Sequence, residues 1–496
     1  MPSSASLEIH VLNVGQGDSV LVVNRDLEVV QDLITEAHGA SAVPADPIDY
    51  VPYAIANDVA LLGSVTKALL IDGGDDEYGG DVVNYLIAHG VVDPDYYYQD
   101  DLSLLLSHYH DDHMAGLRSV FKELVPATKK APAKLIERYR PGTVYQAEFT
   151  AKTEPASQRF VLFQSDVDDA VAKPKNRTKR VYVSPGGRTA DNKANVTIDL
   201  GTGVDGIAIC VVLLAAAQAV WDAGKKKVVG IASTGKTVDQ NDRSIVAVLQ
   251  YGSFRCLLGG DIAGDGGPAG GNTGANDGSG GKAFFSQHAD VESTLEPALE
   301  AYFPATQRKQ YKAGVPKFTT AGYCTVLKAD HHGSSSSVDV HLLATVQPLV
   351  FVASSGVKAR FHRHPTQAVL NRVTPSQSAT WGVRAKGTTA AGAVKVNNTI
   401  GGRYITEVAQ KVKNAAFGAD IYSAKIMGDM VIRPVDETIA DVQAATAPGQ
   451  TLTVQVYGTG AQTGIADKQT ALRPTETVAA APAIYPIGPF LHSDTH

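Results

Sequence analysis

The stretch LSLLLSHYHDDHMAGL, residues 102–117, decides how this chain is read. Leu102–Leu106 is short, apolar and unbroken, the pattern of a buried strand. From Met114 onward, Met114, Leu117, Val120, Phe121 and Leu124 recur at helical spacing. Between the two stand His108, His110, Asp112 and His113. A strand end that leads into a helix start is where α/β sheets place ligands. Alternation puts His108 and His110 on one side of an extended segment, and the turn then brings Asp112 and His113 around. Imidazole nitrogen and carboxylate oxygen are the donors a zinc-class cation takes. Three imidazoles and two acids within residues 108–113 are poor material for a packed core. The loop is therefore read as a metal site.

Outward from this loop the same grammar repeats. Ser19–Val23, Lys67–Ile71, Ile207–Leu214, Ser244–Gln250, Arg255–Leu258, Thr325–Lys328 and Leu349–Val352 are apolar runs, mostly rich in β-branched residues and bounded by Gly or Asp, and read as strands. Asp81–His89 carries Val82, Val83, Leu86 and Ile87 on one helical face. Strands interleaved with helices predict a layered α/β core. Three segments interrupt it and are read as insertions: 24–66, 118–193 and 264–320. Within the last, Gly264–Gly281 is half glycine and predicts a surface loop. Residues 1–370 are thus read as one domain with insertions. Beyond them, Asp429–Arg433 and Thr451–Tyr457 predict a small β-rich C-terminal extension over 371–496.

Composition narrows the class. The chain has 496 residues, 44% hydrophobic and 19% charged, with a net charge of -7, which excludes global disorder and a wholly basic coat. Cys210, Cys256 and Cys324 form no C-x-x-C pair, so a disulfide framework and a thiolate zinc site are excluded, and each reads as a buried thiol. Met1–Leu12 lacks the marks of a signal peptide. The longest apolar run, 207–220, falls short of the ~20 residues a bilayer span needs. A cytoplasmic protein with no membrane partner is expected. Charge is uneven, however. Residues 118–193 hold sixteen Lys/Arg against eight Asp/Glu, a local balance of +8. The densest run is Lys173, Lys175, Arg177, Lys179 and Arg180, read as a candidate clamp for a polyanionic substrate such as a nucleic acid.

The His-x-His-x-Asp-His run after an apolar strand resembles the metallo-β-lactamase superfamily of hydrolases. HVLNVGQGDSVLV (10–22), LLIDGG (69–74), NDRSIVAVLQYGSFRCLLGGDI (241–262), KADHHGSSSS (328–337) and HRHP (362–365) resemble, in order, the blocks of the ComEC/Rec2-like branch, without its membrane channel. The resemblance implies an αββα sandwich with metals on loops at one edge. It implies that His108 and His110 hold one divalent metal, that Asp112, His113 and His331 hold a second, and that Asp261 bridges them. His332 is the alternative to His331. Two zinc ions are expected, with manganese or iron as substitutes. Many members place a histidine where this chain has Asn241, so Asn241 and His364 are candidate supporting residues. Asp18 and Asp72 are read as orienting carboxylates, Gln16 as turn chemistry and Ser334–Ser337 as a polar loop. His38, His288 and His496 read as surface residues.

The chain has no G-x-S-x-G elbow, so an acyl-serine reading has no support. The resemblance implies a hydrolase using metal-bound hydroxide, with Asp112 and Asp261 as catalytic groups. A phosphodiesterase or nuclease fits the basic segment. A carbonyl hydrolase of lactamase or lactonase type is the alternative, and a non-catalytic scaffold is the third reading.

Overall fold

The computed structural model describes residues 6–125, 132–175, 177–203, 206–222, 224–231, 239–252, 254–264, 289–299, 308–312, 315–318, 324–356, 364–383, 394–407, 425–426, 428–435, 451–458 and 483–491. The glycine-rich run from 265 on, His288, His362 and His496 lie outside these residues.

Two large sheets carry the molecule. The first orders its strands 483–491, 451–458, 430–435, 7–11, 20–25, 65–71, 98–106, 140–147 and 179–183. Its strands pair antiparallel as far as 65–71 and parallel from there on. The second runs 227–230, 219–222, 208–216, 246–251, 254–258, 326–328, 350–353, 402–405 and 425–426, with 197–202 also paired to 208–216. It too turns parallel, from 254–258 onward.

Side-chain alternation sorts these strands into layers. Leu69 and Ile71 point inward, against Val211, Leu213 and Leu249 of the other sheet. Their neighbours Ala68 and Leu70 point outward, against Val82, Val83 and Leu86 of the Gly79–Ala88 helix and Phe160 and Phe163 of the Gln158–Val171 helix. Across the molecule, Val248, Leu257 and Leu327 meet Leu342 and Leu343 of the Val340–Val346 helix and Val369 of the Gln367–Val373 helix. The layers are helix, sheet, sheet, helix, the expected αββα sandwich.

The segments read as insertions differ in kind. Residues 26–64 leave the sheet and return, and their helices Leu27–His38 and Tyr50–Ala56 bury Val30, Ile34, Val51 and Ala54 in a small core of their own. Residues 118–193 are not an insertion. They contribute the parallel strands 140–147 and 179–183, joined by the Gln158–Val171 helix, because parallel strands need such a crossover. The C-terminal stretch is rich in strands, and these extend both sheets: 402–405 pairs with 350–353, and 430–435 pairs with 7–11. Among the described residues, no helix is long and apolar enough to cross a membrane. The three cysteines are free, Cys256 and Cys324 buried and Cys210 half-buried.

Candidate metal centre

Five parallel strands end at one edge of the sandwich, and the site is built from the residues just past their ends. Asp72 comes after Val65–Ile71, His108 after Tyr98–Leu106, Asp261 after Phe254–Leu258, His331 and His332 after Val326–Lys328, and Ser354 after Val350–Ala353. Loop backbones lock together there. Gly73 N donates to His113 O at 2.8 Å, Gly74 N to Asp18 O at 2.8 Å, and His331 N to Gly260 O at 2.9 Å. A Cβ on Gly116 would lie 1.9 Å from Gly73 O, so only glycine permits this approach of the helix start to the Asp72 loop.

At the centre is the Asp261 carboxylate. His113 Nε2 lies 3.2 Å from its Oδ1, and His332 Nε2 and His108 Nε2 lie 3.4 and 4.0 Å from its Oδ2. All four side chains are buried. None of these three imidazole nitrogens, nor Asp261 Oδ1, closes a hydrogen bond among the described residues. Buried polar atoms left so are rare, and nitrogen and carboxylate lone pairs that converge on one volume fit a divalent cation. Four groups have ligand atoms close enough to share an ion: His108–His113–Asp261, Asp112–His113–His332, Asp18–Asp72–His113 and Asp18–Asp261–His332.

The far side of each ring explains its orientation. His113 Nδ1 donates to Asp72 Oδ2 at 2.8 Å. Ser107 Oγ donates to the same oxygen at 2.5 Å and lies 3.1 Å from His108 Nδ1, which therefore donates to it. Ser107 N adds a bond to Asp72 Oδ1 at 2.7 Å. One carboxylate thus sets two rings, and both turn Nε2 toward Asp261. His332 Nδ1 faces Ser354 O and Asp18 Oδ1, each at 3.2 Å, which again leaves Nε2 for the centre. Asp18 is ion-paired with the buried Lys328, and Asp261 N donates to Ser244 Oγ at 3.1 Å. Asp72, His331 and His332 all hold φ between 47° and 59°, a left-handed backbone costly for residues with a Cβ.

Charge at the centre is polarised. Burial opposes ionisation of Asp261, yet His113, His332 and His331 hold its carboxyl well below the usual range. Burial also opposes protonation of His113, but Asp261 and Asp72 hold that ring well above its ordinary value. His332 is likewise pushed up to about 9 by Asp261 and Asp18 against its burial. His108 goes the other way: burial, and then His113, depress it well below its ordinary value. An ionised carboxylate that holds His113 and His332 protonated in its buried surroundings is a position that a cation satisfies.

The residues expected from sequence divide here. His108, Asp112, His113 and Asp261 come together. His332 belongs to two of the convergent groups, whereas the favoured His331 belongs to none; its Nε2 is 3.7 Å from Asp261 Oδ2 and 3.4 Å from Asn241 Nδ2. The reason is the left-handed turn at 331–332, which carries His332 inward and leaves His331 half-buried. His110 caps the short Asp111–Met114 helix, its ring 4.8 Å from that of His108, and it too stays outside the groups. His364 is buried with its ring 6.3 Å from His332 and 5.8 Å from His331, and does not join them. Ser334–Ser337 are buried, and Arg372 ties their loop by donating to the carbonyls of Ser335 and Ser337. Gln16 is half-buried in the turn before Asp18. Ser107, Ser244, Ser354 and Lys328 escaped the sequence reading. Only Lys328, a charge at the end of an apolar strand, left a signal there.

The basic run does not face this centre. Parallel strands 140–147 and 179–183 pair Thr143 with Lys179 and Ala147 with Val183, so Lys179 lies four residues back from the site edge, about 13 Å. The crossover helix returns the chain to the far end of the sheet, and Lys173, Lys175 and Arg177 lie on that return. Lys173 pairs with Glu137 and Arg180 with Asp168. What borders the centre instead is a cleft of about 740 Å³ lined by Tyr109, His110, Asp112, Lys152, Ser157 and Gln240, among others.

No family model matches the chain, and no curated protein matches it. Among solved structures it is similar to Zn(2+)-bound PqqB from Methylobacterium extorquens, at 10% identity and a TM-score of 0.24, over 62% of this chain and 82% of that one. It is also similar to the metallo-beta-lactamase fold protein YhfI from Bacillus subtilis, at 11% identity and a TM-score of 0.24, over 58% and 86%. TM-scores this low leave the chemistry to be read from the chain's own residues.

Proposed function

We propose that the protein is a metal-dependent hydrolase that cleaves phosphodiesters. The observation that carries the metal is the convergence of His108, His113 and His332 Nε2 on Asp261 with no hydrogen bond closed between them. Support for the diester is narrower and comes from sequence alone: the blocks that carry Asp18, Asp72, Asp261 and His332 resemble those of the ComEC/Rec2-like branch.

A divalent cation held by these residues supplies an electrophile and acidifies water near neutral pH. The chain does the rest. Asp72 and Ser107 hold two rings in one tautomer, and Ser354 and Asp18 hold the third. Asp112 is half-exposed, lines the cleft, and has Oδ2 3.8 Å from His332 Nε2, which places a proton acceptor between the cleft and the buried centre. Lys152 and Gln240 border the same cleft and offer donors to an incoming oxyanion.

A second reading, a carbonyl hydrolase, draws on the cleft's charge. Its described lining holds Asp111, Asp112 and Glu154 against Lys152, weak provision for a polyanion. The two separate in one panel: bis-p-nitrophenyl phosphate, single- and double-stranded DNA, RNA and nitrocefin, with and without a chelator. Chelator-sensitive turnover of the diesters, lost in His113→Ala, is expected. Turnover of nitrocefin alone would establish the carbonyl reading instead.

A further inference from the structure

Lys328 is a buried lysine whose ammonium is ion-paired with Asp18 Oδ2. Asp18 is also one corner of the Asp18–Asp261–His332 group, whose ligand atoms are close enough to hold an ion. A positive charge is therefore already installed beside that group, on a rigid strand end.

The other groups compete for one ring. His113 Nδ1 is taken by Asp72, so His113 has a single lone pair to give, on Nε2. His108–His113–Asp261 and Asp112–His113–His332 both require it, so the two cannot be filled together. Asp18–Asp72–His113 draws on the same ring and on the carboxylate that orients it. A second ion that shares Asp261 with the first would have to use Asp18 and His332, where Lys328 stands. His110, His331 and His364 do not enter any of the four groups.

We propose that the Lys328 ammonium is the resident second cation of this centre: the chain binds one divalent metal tightly, and loss of the lysine charge opens a second metal position on Asp18, Asp261 and His332. The inference rests on the proposed metal-dependent function of this same centre. It gives Lys328 a positioning role, since it acts through Asp18 and touches no reacting atom.

The test is stoichiometry rather than turnover. The full-length protein is loaded with Mn(II), desalted, and assayed by elemental analysis, native mass spectrometry and electron paramagnetic resonance. The parent is expected to retain one equivalent with the signal of an isolated ion. Lys328→Met, close in length and uncharged, is expected to retain two, with the signal of an exchange-coupled pair. Lys328→Arg keeps the charge and should stay at one. Two tightly held, coupled ions in the parent overturn the inference, and that outcome does not depend on any variant folding. A folded Lys328→Met that still holds one ion also overturns it. A parent that retains no metal overturns the metal-centre reading together with this inference, so the two failures are distinguishable.

Discussion

Asp72 shows how much one residue can set. It holds a left-handed backbone at φ 59°, is fully buried, and orients His113 directly and His108 through Ser107. Asp72→Asn preserves size but gives the His113 Nδ1–H a weaker, neutral acceptor and lets the ring turn. Loss of such an outer-shell carboxylate typically lowers metal affinity about 10–100-fold. Competitive titration against a chromophoric chelator measures this, and a thermal melt checks that the variant folds. Affinity equal to the parent's would remove Asp72 from the orienting role. The motif around 108–113 made a candidate metal centre legible in sequence, because few other structures need that many imidazoles in six positions. Which of His331 and His332 turns inward was not legible. It depends on two left-handed residues, and spacing carries no information about them. Ser107, Ser244 and Ser354 were invisible for a related reason: a serine beside a strand end is ordinary turn material until its partner is known.

At the scale of elements, the parallel strands at 65–71, 98–106, 254–258, 326–328 and 350–353 could be read from their apolar runs, but those at 140–147, 179–183 and 402–405 could not, and neither could the neighbours of any. The strand at 430–435 lies beside the one at 7–11, more than four hundred residues earlier, and polar groups rather than pattern fix that pairing. Glu8 is buried between Arg25, at 2.7 Å, and Arg433, at 3.4 Å. Asn13 N donates to Asp429 Oδ1 at 2.7 Å. Burial pushes the Asp429 carboxyl up to about 7, with Asp81 adding to the effect and the Asn13 bond opposing it. Linkage sets the sign. The folded carboxyl binds its proton more tightly than the unfolded one, whose value is 3.8, so its contribution to stability is fully present below 3.8 and is lost as pH rises to about 7. The slope across that window is at most about 1.4 kcal/mol per pH unit. Asp429→Asn keeps the acceptor and removes the titration. Melts between pH 4.5 and 7.5 should show the parent losing stability relative to Asp429→Asn as pH rises. A constant difference between the two would show that Asp429 does not titrate in this range.

Over the whole molecule, charge and chemistry are separated. Reading 118–193 as one basic insertion merged two regions that the fold sends to opposite ends. Residues 152–157 border the cleft, whereas Lys173, Lys175 and Arg177 lie at the far end of the sheet beside the start of the 140–147 strand. Composition alone cannot see this, because the crossover helix that divides them is itself an ordinary amphipathic run. The consequence is measurable. Replacing Lys173, Lys175, Arg177, Lys179 and Arg180 with Gln removes five positive charges, but the charges at the near end of the run are more than a Debye length from the metal edge. At physiological salt such charges are largely screened, so turnover of a small diester should change by no more than about twofold. Metal affinity should not move. Nucleic-acid binding, if it uses this face, has a salt slope of about -0.9 per phosphate contacted on duplex DNA. Flattening of that slope in the five-residue variant, with diester turnover intact, would establish a grip remote from the centre. A large fall in diester turnover would instead mean that the basic run reaches the cleft, and that the two ends of the sheet are not as separate as the strand register makes them.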